Sequence, residues 1–99
     1  MAPFISIEAF LDSVTSGKMP EGLSIYQQAL WKEGRGDWDA AHTLIQDLPD
    51  KKAALIHAYL HRVEGDRWNA GYWYSKAGEK MPSVSLKEEW LQLVKRFLV

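Results

Sequence analysis

Apolar residues recur along this chain at intervals of three and four, in runs cut by glycine, proline and aspartate. The first run, Phe4, Ile7, Phe10, Leu11 and Val14, predicts a helix over 6–16, with Ser6 as its cap and Gly17 as its stop. Pro20 suits a first helical position, where its missing N–H costs nothing, so a second helix is expected over 21–33. Asp37 can cap a third, whose apolar side is Trp38, Ala41, Leu44, Ile45 and Leu48. Pro49 and Asp50 separate it from a fourth helix over 51–64, which Gly65 stops. Asp66 caps a fifth over 67–80, closed by Pro82. Ser85 and Glu88 fit a capping box ahead of a sixth helix carrying Leu86, Trp90, Leu93, Val94, Phe97 and Leu98 on one side. No segment alternates as a strand would.

The stops and starts are themselves ordered. Asp37 and Asp66 are 66 − 37 = 29 positions apart, and at that offset Gly36 matches Gly65, Ala41 matches Ala70, and Ala29 matches Ala58. A fixed period of this size is the mark of stacked helical hairpins. Glycine ends one helix in a left-handed conformation, aspartate starts the next, and a small residue on each helix lets their axes approach.

Gly65-Asp66, Ala70, Tyr74, Ala77 and Pro82, with Ala58 in the preceding helix, resemble the tetratricopeptide repeat. The match spans about residues 50–82. The earlier copy, about 22–49, is shorter, with Leu48 where the second alanine would stand and Pro49 too early. The string HAYLHRVEGDRWNAGYWYSKAG also resembles one in a family of small bacterial proteins, and that likeness implies no activity. The hairpin resemblance implies an all-α fold of five or six antiparallel helices. Two tetratricopeptide-like hairpins would be flanked by capping helices. It also implies a surface that holds a protein or peptide.

Composition narrows the function. Ninety-nine residues suffice for one domain, 1–99, with a real core. Twelve basic residues against thirteen acidic ones give no electrostatic pull toward nucleic acid or an anionic membrane. The chain has no cysteine, which excludes disulfides and thiolate sites. No apolar run reaches membrane-spanning length, and the start lacks a basic leader, so a cytoplasmic protein is expected.

Three groups of side chains carry candidate chemistry. His57 and His61, four apart, share one face of the fourth helix, opposite the stripe of Leu55, Ile56, Tyr59, Leu60 and Val63. They could form a metal or proton-transfer site with Glu64, Asp66 or His42 as third group; the plainer reading is a hydrogen-bonded interhelical pair. Spacing fixes only two ligands, so no metal or cofactor is assigned from sequence. Arg62, near Glu64, Asp66 and Arg67, is an anion-binding candidate or part of local ion pairs at the turn. Trp68, Asn69 and Tyr72 lie on the fifth helix, away from its inner stripe of Ala70, Tyr74, Ala77 and Met81. Burial of Trp68 and Tyr72 under the sixth helix is the favoured expectation, because a monomer rarely leaves such a patch open; uncovered, they would suit a partner. Gly71 and Gly78 inside that helix call for close backbone approach as compensation. No nucleotide loop or nucleophile elbow is present. Two functions follow: a non-catalytic protein- or peptide-binding module, or an enzyme or small-ligand binder using His57 and His61 in a pocket. The apolar last helix leaves homo-oligomerisation open to either.

Overall fold

The computed structural model describes residues 5–98, so Phe4 of the first apolar run lies outside it. Six helices make up the regular structure, with no strand among the described residues: α1 (Ile7–Ser16), α2 (Ile25–Gly34), α3 (Trp38–Ile45), α4 (Lys51–Val63), α5 (Arg67–Ala77) and α6 (Leu86–Phe97). The fold is all-α, as the periodicity requires.

Local chemistry sets the boundaries. Every helix starts on a serine or aspartate whose side chain accepts a backbone N–H three residues on. α2 begins at Ile25 rather than beside Pro20, because Ser24 and Gln27 form a reciprocal capping box that fixes the start there. At α6 the Ser85 hydroxyl accepts from the Glu88 N–H at 3.1 Å. α5 stops at Ala77, short of the expected 80, because Gly78 adopts a left-handed φ of 75° and caps it.

The two Gly-Asp turns have nearly the same shape. Gly36 and Gly65 take φ of 82° and 85°, a region other residues avoid, and Asp37 and Asp66 follow with φ/ψ of −97°/74° and −90°/80°. Ala29, Ala41, Ala58 and Ala70 are all fully buried. Each small residue thus sits where two helices meet, α2 against α3 and α4 against α5.

α4 is the central element. Every residue from Ala53 to Leu60 is buried, since α2, α3, α5 and α6 all pack on it. The apolar side of α6 faces inward on α2 and α4 through Leu93 and Val94, with Trp90 donating its indole N–H to the Leu30 carbonyl at 2.9 Å. Close approach occurs at Gly34, not Gly71. A Cβ on Gly34 would stand 2.6 Å from Trp90 Cζ2, whereas one on Gly71 would meet nothing within 4 Å. Gly34→Ala should therefore destabilise the fold by about 1–3 kcal/mol through overpacking. Gly71→Ala should stabilise it by roughly 0.5–1 kcal/mol through helix propensity. Urea unfolding of the two variants checks both signs.

Candidate functional site

The chain has three histidines, and all three converge. His57 and His61 come from one face of α4, and α3 lays His42 against them. His42 Nε2 and His57 Nε2 are 3.0 Å apart, so one ring donates and the other accepts. One ring nitrogen of each histidine lies within 4.8 Å of the other two. Of the three partners proposed for the α4 pair, His42 meets both rings, while Glu64 and Asp66 lie beside His61 alone, and His61 Nδ1 donates to Glu64 Oε1 at 2.6 Å. Nδ1 thereby carries the hydrogen of that bond, which leaves Nε2 as the nitrogen that faces away from Glu64.

Aromatic rings fix the cluster on two sides. Trp38, one turn before His42 on α3, stacks on it at 4.7 Å and donates its indole N–H to the Leu60 carbonyl at 2.6 Å, pinning α3 to α4. Trp73 of α5 stacks on His57 at 4.0 Å. His57 is 5% exposed; the His61 side chain, at 13%, reaches the edge of the cluster. Burial, then the neighbouring His42 and His61, pushes His57 from its ordinary 6.5 down to about 4. Burial, with His61 beside it, also lowers His42, against the opposing pull of Glu64, Asp39 and Asp47. Both rings are thus held neutral at pH 7.

The histidines meet one another and line none of the described clefts. Clefts open elsewhere: one of about 410 Å³ beside Tyr26, Lys51, Lys52 and Phe97, and a shallow one of about 720 Å³ beside Met19, Trp31 and Leu44.

The turn residues are engaged internally. Arg62 does not pair locally: its Nη1 donates to Glu89 Oε1 of α6 at 2.7 Å and its Nη2 to the Val84 carbonyl. Glu89, 3% exposed, also accepts the Tyr74 hydroxyl at 2.5 Å, so one buried carboxylate ties α4, α5 and α6 together. Asp66 accepts from the Asn69 backbone N–H at 3.1 Å and from its side-chain amide at 2.6 Å, which uses both residues to close the start of α5. The Arg62–Glu89 link has no signal in the sequence, since Glu89 reads there as one more acid in a first helical turn.

Trp68 and Tyr72 correct the expectation of burial. They are 79% and 47% exposed, and their rings lie nearly parallel at 6.5 Å. At about 100° per residue each stands some 200° around α5 from Ala70, on the side away from α4. α6 does not cover them because it packs on α2 and α4. Lys76, the next turn along, sits 5.5 Å from the Tyr72 ring. Among the described residues neither Lys76 nor Arg67 forms an ion pair. The outer face of α5 is therefore an aromatic stripe that ends on Lys76.

Comparison with protein-family models, curated proteins and solved structures finds no match to this chain. No described helix is long and apolar enough to cross a membrane.

Proposed function

We propose that this chain is a non-catalytic binding module whose outer α5 face docks a peptide segment of a protein partner, and that its two helical hairpins are copies of one tetratricopeptide-like unit. The observation that carries the reading is the exposure of Trp68 at 79%, stacked with Tyr72 instead of folded into the core. Large aromatics standing in water are costly to keep and are the side chains that dominate interface energetics. Lys76 at its end, in no ion pair among the described residues, favours a partner with an apolar anchor beside a carboxylate. The hairpins supply a rigid platform, because the two turns share one geometry and the four alanines at the helix contacts are fully buried. The alternative, a pocket enzyme or small-ligand binder built on His57 and His61, lacks the open cavity it needs among the described clefts.

Selection from a random peptide library on the immobilised protein tests this. Peptides with an apolar or aromatic anchor beside acidic residues are expected to be enriched, and Trp68→Ala with Tyr72→Ala should abolish their retention. Enrichment of nothing, or of peptides held equally by the double variant, would overturn the reading. So would a concentration-dependent dimer that buries the same two rings.

A further inference from the structure

From the convergence of all three histidines of the chain, we infer that His42, His57 and His61 form a binding site for a divalent transition metal of the zinc type, with Glu64 as the group that orients His61. This site shares no residue with the docking face.

Three donors of one kind meet from two helices, with one nitrogen of each inside a 4.8 Å limit. Zinc bonds imidazole nitrogen at about 2.0–2.1 Å, so tetrahedral ligands stand roughly 3.3 Å apart. The His42–His57 pair, at 3.0 Å, is already near that spacing. Bringing the widest nitrogens together requires at most about 1.5 Å of movement, within reach of ring rotation in the half-buried His61. The proton shared by His42 and His57 must leave the line between the rings. The donating ring shifts it from Nε2 to Nδ1, a tautomer change with no net loss.

The surroundings match a metal centre in two respects. Metal-bound histidines usually donate their second nitrogen to a carboxylate, which fixes the tautomer and raises ligand basicity; Glu64 accepts in that way from His61 at 2.6 Å. Trp38 and Trp73 stack on two of the ligands and restrain their planes. Imidazole donors select zinc, nickel and copper over magnesium or calcium. Three protein ligands leave a fourth position for water or an added carboxylate, and His61 at the edge gives access.

The test titrates chelator-treated protein at pH 7.5 with Zn2+ by calorimetry, and with Co2+ by visible absorption. One equivalent should bind, Co2+ should show the intense visible bands of four-coordinate geometry, and zinc at a hundredfold excess over Kd should raise Tm by on the order of 10 °C. His61→Gln and His42→Gln, each checked for native helicity, should weaken Zn2+ more than about 100-fold, and Glu64→Gln by about 10–100-fold. Absence of binding to the wild-type protein would overturn the site. So would equal binding to wild type and both histidine variants, or a six-coordinate Co2+ spectrum insensitive to them.

Discussion

Replacing Glu89 with alanine is expected to destabilise the protein by about 3–5 kcal/mol, the largest single-residue effect anticipated for this fold. The carboxylate is 3% exposed and accepts from Arg62 and from the Tyr74 hydroxyl. Removing it leaves a guanidinium largely shut off from water without its counter-charge, and a buried hydroxyl without an acceptor. Burial and the same carboxylate push Tyr74 up, so its hydroxyl stays protonated and remains a donor. Glu89→Gln keeps one acceptor and should lose less. The pair should also be strongly non-additive: Arg62→Met with Glu89→Met is expected to lose less than the two single variants summed, since the double change leaves no orphaned charge. Denaturant unfolding of the four proteins measures this. Additive losses, or an alanine variant within about 0.5 kcal/mol of wild type, would show that the ion pair does not hold the three helices together.

The second large effect is on acid stability of the metal-free protein. His57 takes its proton at about 4 in the folded chain, against an ordinary 6.5. Between those values the unfolded chain binds the proton and the folded one does not. The contribution of this group is therefore present in full above pH 6.5 and is lost as pH falls toward 4, by up to about 3 kcal/mol. His42 is lowered too and adds to the same slope, while Glu64, Asp39 and Asp47 pull it back. Glu33, raised by burial, acts in the opposite sense near the ordinary carboxylate range. Asp50 and Asp66 are lowered, so their contributions fade only below about 3.8. Urea midpoints from pH 7.5 to 4.5 should fall steeply for the wild-type protein and much less for His57→Gln. Parallel profiles would remove the histidine cluster as the source.

What the sequence made legible was local. The Gly-Asp turns, the serine and aspartate caps and the helix count follow from short-range rules, and each is found in the structure. Boundaries failed where two local signals competed, as when the Ser24–Gln27 box overrode Pro20. Relations between helices were less legible. The spacing of His57 and His61 gave a shared face and the turn placed Glu64 and Asp66 beside His61, but that His42 would meet both rings depended on how α3 lies across α4. Arg62 could not be assigned to Glu89, 27 positions away, before α4 and α6 were known to touch. Trp68 and Tyr72 were expected in the core on the premise that α6 would cover them. The wheel placed them correctly on the far side of α5, and the premise failed because α6 goes to α2 and α4 instead.

The central claim, a satisfied helical scaffold whose function lies on the outer face of α5, is tested most directly on one variant. Trp68→Ala with Tyr72→Ala should keep its unfolding free energy within roughly 1 kcal/mol of wild type, because exposed side chains contribute little to the fold. The same protein should lose calorimetric binding of a library-selected acidic-aromatic peptide by at least about 100-fold, as interface hot spots do when truncated. A double variant that is destabilised by several kcal/mol, or that binds the peptide as wild type does, would contradict the account.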